Sequence, residues 1–108
     1  MALKLNVYKT VTPSVSTSAT VVYTAPTGYT GIVLLANISN PTTGTLTVTL
    51  EHRRSATDTS IVTDFPISSK DSTNLIDGKL FLQSGDQLVL SGQATTLEAV
   101  ISILETLN

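Results

Sequence analysis

The run Gly44-Thr45-Leu46-Thr47-Val48-Thr49-Leu50-Glu51-His52-Arg53 decides the fold class. Leu46, Val48 and Leu50 share one parity, and Thr45, Thr47, Thr49 and Glu51 share the other. Successive side chains of a strand point to opposite faces, so this alternation predicts a strand over about 45–53 with one buried face. Its β-branched Thr and Val suit a pleated surface. Asn40-Pro41-Thr42-Thr43-Gly44 before it reads as a connector, and the polar Ser55-Ala56-Thr57-Asp58 after it closes the segment.

The same period recurs in both directions along the chain. Leu3, Leu5, Val7 and Val11 alternate with Lys4, Asn6, Tyr8 and Thr10, and Thr12-Pro13-Ser14 ends that strand, because Pro has no N–H for the ladder. A second strand is predicted over about 18–25, with Ala19, Val21, Tyr23 and Ala25 on one face, and Pro26-Thr27-Gly28 turns the chain. A third covers about 30–39, with Ile32, Leu34, Ala36 and Ile38 facing one way. A fifth covers about 59–65 with Ile61 and Phe65 in phase, and Pro66 to Thr73 reads as a longer polar loop. Asp77-Gly78 between Leu75-Ile76 and Leu80-Phe81-Leu82 fits a two-residue hairpin turn. Ser84-Gly85-Asp86 turns into a strand at about 87–91, and Ser91-Gly92-Gln93-Ala94 turns again. The last strand, about 96–105, carries Leu97, Ala99, Ile101 and Ile103 in phase; a loose helical period over 97–107 competes with it, and β-branching favours the strand. Eight or nine short strands at even spacing predict an all-β chain, an antiparallel β-sandwich of jelly-roll or immunoglobulin-like type, as one domain over 1–108. Residues 1–11 are expected to be an edge strand or an arm exchanged with a neighbouring subunit.

Composition narrows the function classes. Of 108 residues 41% are apolar and only 13% charged, with a net charge of −2. The charged share is about half the usual ~25%, and 19 Thr and 12 Ser fill the gap. The chain is too apolar for disorder, and no run approaches the ~18 residues of a membrane helix. No Cys and a single His exclude a disulfide framework and the common zinc sites. Six Lys and Arg against eight Asp and Glu argue against broad nucleic-acid binding. The first residues hold neither the apolar core nor the cleavage site of a secretory signal, so the mature protein is expected to start where the gene starts.

Chemistry-bearing motifs are sparse. His52-Arg53-Arg54 is the densest positive cluster and is expected to be a solvated strand end near Glu51 and Asp58, with His52 at the core margin because it continues the parity of Leu50. No nucleophile elbow supports a Ser-His-Asp triad around His52. Asp58, Asp64, Asp71, Asp77 and Asp86 are scattered through turns without calcium-loop spacing. No catalytic, cofactor-binding or metal-binding residue is assigned, and the chain is read as a non-enzyme. A glycan- or receptor-binding module would place Tyr29 and the 66–74 loop at one tip.

Several strands carry apolar residues on both parities. Val33 and Leu35 oppose Ile32 and Leu34, Val22 opposes Val21 and Tyr23, Val62 opposes Ile61, Phe81 opposes Leu80 and Leu82, and Val100 and Leu104 oppose Ile101 and Ile103. A sandwich needs one buried face per strand. Val22, Val33, Leu35, Val62 and Phe81 are therefore the candidate protein interface. Covering several such side chains at ~25 cal/mol per Å2 is worth several kcal/mol.

Three segments together carry a resemblance. They are Val22-Tyr23-Thr24-Ala25-Pro26-Thr27-Gly28-Tyr29-Thr30 with the apolar strand and Asn37-Ile38-Ser39-Asn40 after it, the strand end Leu50-Glu51-His52-Arg53-Arg54, and Gly78-Lys79-Leu80 through Ser84-Gly85-Asp86-Gln87-Leu88 to Ile103-Leu104-Glu105-Thr106-Leu107-Asn108. Over about 18–108 the chain resembles small virion structural proteins of tailed bacteriophages, notably those of cyanobacterial and other aquatic hosts. The resemblance implies a β-sandwich subunit present in many copies on the particle, located in the virion, with other virion proteins as partners and a homo-oligomeric state. It implies first a capsid decoration (cement) protein and second a neck, tail or baseplate component, with no catalytic residues, no cofactor and no membrane.

Overall fold

The computed structural model describes residues 5–108. Nine strands follow in order: β1 (Asn6–Val11), β2 (Thr20–Thr24), β3 (Tyr29–Asn40), β4 (Leu46–Arg54), β5 (Thr57–Ile67), β6 (Asp71–Asn74), β7 (Leu80–Leu82), β8 (Gln87–Gly92) and β9 (Glu98–Leu107). No helix occurs among the described residues, so the last segment is a strand and the helical period over 97–107 is not used. All pairings between these strands are antiparallel. One sheet runs β1-β9-β3-β6, with β7 also paired to β3, and the other runs β2-β8-β4-β5. The sheets pack as a sandwich around Val33, Ala36, Ile38, Leu82, Ile101 and Ile103 from the first and Val48, Leu50, Leu88 and Leu90 from the second. The inner parities read for β4 and β9 hold: Val48 and Leu50 are buried, as are Leu97, Ala99, Ile101 and Ile103.

Two β-bulges correct the reading of β2 and β3. In β3 the register with β9 shifts between Val33 and Leu35. One extra residue flips the parity, because a bulge sets two residues against one. Val33 therefore faces inward before the bulge, and Ala36 and Ile38 face inward after it. Ile32 and Leu34 are only half-buried, so the expected shared face of Ile32, Leu34, Ala36 and Ile38 does not exist. In β2 the register with β8 shifts between Val21 and Tyr23. Tyr23 and Ala25 stay buried while Val21 is 38% exposed, and Val22 packs partly against the core.

The segment after β4 also departs from expectation. Arg54 pairs with Thr57, leaving the two-residue loop Ser55-Ala56. Both residues have positive φ (49° and 67°), which is the backbone of a type I′ hairpin without its usual Gly. The strand that follows runs through Pro66 to Ile67, so the expected polar loop from Pro66 to Thr73 is instead the end of β5, a turn closed by Asp71 N–H donating to Ser68 O (3.1 Å), and β6. Pro is tolerated because β5 is an edge strand. Asp77-Gly78 is not a two-residue hairpin. β6 pairs with 37–40 of β3 and β7 with 31–33, so the two short strands lie end to end along β3 rather than side by side.

Candidate functional site

The positive cluster at the end of β4 is neutralised within the chain. His52 and Arg54 continue the inward parity of Leu50 and converge on Asp86, which is 2% exposed. Arg54 donates through Nε (2.9 Å) and Nη2 (2.7 Å), His52 Nε2 lies 3.0 Å from Oδ2, and the Gln83 N–H donates at 2.9 Å. The Arg54 hydrogen bonds, aided by those from His52 and Gln83, hold the Asp86 carboxyl well below the usual carboxylate range against the opposing effect of burial. Asp86 sits on a turn closed by its own N–H donating to Gln83 O (2.8 Å), with Gly85 at φ 86°. A type II turn needs positive φ at that position, which Gly supplies without strain. The cluster thus staples the β7–β8 turn to the end of β4. Arg53 points the other way and pairs with Asp58 across the hairpin at 2.6 Å, at the strand end where the sequence placed it.

A second buried polar group lies between the sheets. Glu105 on β9 is 3% exposed and accepts the Tyr23 hydroxyl at 2.6 Å and Lys9 Nζ at 3.2 Å. Opposite Glu105 in the ladder is Gly31, where a Cβ would stand 2.9 Å from the Tyr23 oxygen and 3.0 Å from Cε2. The missing side chain is what lets the ring cross from β2 to Glu105. Burial, then the hydrogen bond and the negative charge of Glu105, push the Tyr23 phenol above its ordinary range.

The outer face of the β1-β9-β3 sheet holds the candidate functional surface. Tyr8 pairs with Leu104, Leu104 with Ile32, and Ile32 with Phe81. These four residues form one continuous cross-strand row over β1, β9, β3 and β7. Tyr8 is 77% exposed and Phe81 59%, and they flank the half-buried Leu104 and Ile32. Leu35 and the exposed Val100 extend the apolar surface along the strands. The bordering positions are neutral: Asn6, Thr106 and Thr30 on one side, Thr10 and Ser102 on the other. Among the described strand positions of this face, the one charged residue is Glu98, at the far end of the ladder opposite Ser39. Cross-strand neighbours lie within ~5.5 Å of each other, so the row is a connected apolar stripe in a neutral field.

The five residues read as an interface separate accordingly. Phe81 lies on this row and Leu35 beside it. Val33 is fully buried in the chain's own core, a correction that follows from the bulge in β3. Val22 and Val62 are half-buried against the core from the other sheet, away from this face. Sequence reasoning missed Tyr8 and Ile32 as surface apolar residues. The parity that put Tyr8 with Asn6 and Thr10 was the available signal; the bulge concealed Ile32.

No alternative site of comparable order is present among the described residues. No group of three or more metal-ligating side chains comes together there. A shallow groove of about 350 Å3 runs between the β1–β2 connector and the start of β9, lined by Pro13, Val15, Leu97 and Val100 among others. Tyr29 opens β3 while Asp71 pairs with Asn40 at its other end. The two lie roughly 35 Å apart at ~3.3 Å per residue, so the expected common tip of Tyr29 and the 66–74 stretch does not form. No helix among the described residues is long and apolar enough to cross a membrane.

No protein-family model matches the chain, and no curated protein matches it. Among solved structures it is similar to a protein of Bacillus endospore appendages, described as a novel family of disulfide-linked pili, at 17% identity and a TM-score of 0.54 over 99% of this chain and 93% of that one. That likeness concerns the sandwich fold.

Proposed function

We propose that this chain is a structural subunit of a multi-copy assembly that acts by docking, and that the assembly is the virion of a tailed bacteriophage, with capsid decoration ahead of a neck, tail or baseplate position. The observation that carries docking is the neutral Tyr8–Leu104–Ile32–Phe81 row: an apolar stripe of this kind is stable in water only at a cost that a neighbouring subunit removes. The bacteriophage assignment rests on the sequence resemblance. We further propose that the sandwich is a jelly roll rather than immunoglobulin-like. What supports this is the strand order, in which the first strand lies beside the last (β1-β9) in one sheet and the second beside the next-to-last (β2-β8) in the other. Jelly rolls are frequent in viral capsid domains, although fold alone does not assign function.

The experiment is co-purification. Tagged chain, produced in the host while particles assemble, should band with intact particles, and the Phe81→Asp variant should stay in the soluble fraction with an unchanged β-type circular dichroism spectrum. Phe81 is 59% exposed, so the charge leaves the fold intact. A wild-type chain that never bands with particles overturns the virion reading. A second reading is a self-polymerising fibre subunit, favoured by the likeness to a pilus protein. With no Cys in this chain, copies would be joined without disulfides.

A further inference from the structure

β1 is a lightly buried edge strand of the first sheet. It pairs with β9 alone, from Asn6 opposite Thr106 to Val11 opposite Ile101. None of its six residues is fully buried; Val7 and Val11 are half-buried and the rest exposed. Immediately after it the chain is firmly anchored: Ser14 bridges to Glu98, Val15 is 3% exposed in the core, and Ser16 O accepts the Gly92 N–H at 2.9 Å. Only Thr12 and Pro13 separate the strand from that anchor. Pro disfavours the helical region for the residue before it, so this short hinge is biased toward an extended path.

The edge beneath β1 has a defined demand. Without β1, the outer ladder groups of β9 between Ile101 and Thr106 lose their partners, and buried Glu105 loses its cation, Lys9. The vacated edge therefore selects an antiparallel strand that carries a positive side chain two residues along from the position opposite Glu105. The other long edge is protected. β5 carries Pro66, the left-handed Asp64 (φ 48°) and two register shifts against β4, all devices that block edge pairing. β2 is short and bulged.

We propose that β1 is an exchangeable strand, and that its second docking site is the β9 edge of another copy of this chain, where its Lys9 meets that copy's Glu105. Exchange of an identical element recreates the same contacts between subunits. The proposal is independent of the kind of particle, because it is read on the isolated chain.

The chain has no Cys, which makes the test direct. Thr10 and Ser102 are ladder partners on the outer face. Full-length Thr10→Cys and Ser102→Cys chains, differently tagged, are incubated together at high concentration and oxidised. The expected result is a heterodisulfide dimer on a non-reducing gel whose yield grows with incubation time and concentration. The Lys9 contact is read with a free donor: a synthetic strand of residues 5–13 carrying Thr10→Cys should be captured by the Ser102→Cys chain, and Lys9→Met in that strand should lower the yield about two- to five-fold, the range of a partly exposed ion pair, because a free strand has no Glu105 of its own to lose. The double variant in one chain is the geometry control and should form an intrachain bridge. An intrachain bridge without any heterodisulfide overturns exchange. Free thiols in both overturn the β1–β9 pairing on which it depends, and a yield indifferent to Lys9 overturns the role given to Glu105.

Discussion

Tyr23→Phe removes one oxygen and nothing else of the ring, and the structure says what that oxygen does. It donates at 2.6 Å to a carboxylate that is 3% exposed, from a ring that is 8% exposed. A hydrogen bond to a charged group contributes ~1.5–3 kcal/mol, and the loss falls in that range because water has no ready route to the vacated acceptor. At ~2.1 cal/mol/K of unfolding entropy per residue, a chain of 108 residues loses about 4 °C of Tm per kcal/mol, so the variant should melt ~7–13 °C lower. The pH dependence supplies a second, independent signature. The folded-state phenol pKa lies above its ordinary value of 10.0, so its stabilising contribution is complete below about pH 10 and is lost as pH rises beyond that. Urea titrations at neutral pH and between about pH 9 and 11 measure both. Tyr23→Phe should lower the neutral-pH midpoint and lack this part of the alkaline decline of the wild type. A variant within ~0.5 kcal/mol of wild type at neutral pH would refute the claim that Glu105 depends on this donor.

Three further perturbations follow from the same geometry. Asp86 is depressed below the ordinary 3.8, so its contribution is present above that pH and fades as pH falls; denaturant midpoints should drop on acidification below about pH 4, and Asp86→Asn should start lower at neutral pH and respond less there. Gly92→Ala would place a Cβ 2.6 Å from Leu97 Cδ1 and 2.8 Å from Val15 Cγ1, an overpacking that should cost ~1–3 kcal/mol by equilibrium unfolding. Asp58→Asn breaks the exposed pair with Arg53 and should leave the unfolding midpoint unchanged in physiological salt, because a solvated ion pair contributes little.

Strand existence was legible in the sequence wherever alternation was clean. β4 and β9 carry their inner faces in plain period two, and His52 could be placed at the core margin by parity alone. The bulges were not legible. In the run Ile32-Val33-Leu34-Leu35 every residue is apolar, so an inserted residue leaves no mark in the pattern and the face assignment slips by one. Asp77-Gly78 carried sound local turn chemistry, yet both flanking strands find their partner in β3, some 40 residues earlier. Asp86 lies 32 positions from Arg54 and 34 from His52, a convergence set by the β4–β8 register, which places Gln87 opposite Arg53. The outer row has the same origin. Phe81 was readable as an apolar residue on the wrong parity, whereas its alignment with Ile32, Leu104 and Tyr8 is a property of register across four strands.

The docking claim is tested most directly by a reconstruction of the particle at side-chain resolution. The expected result is density for this sandwich in many copies, with the face bearing Tyr8, Leu104, Ile32 and Phe81 covered by a neighbouring subunit. A subunit seated with that row open to solvent, held instead through the β2-β8-β4-β5 sheet, would contradict it.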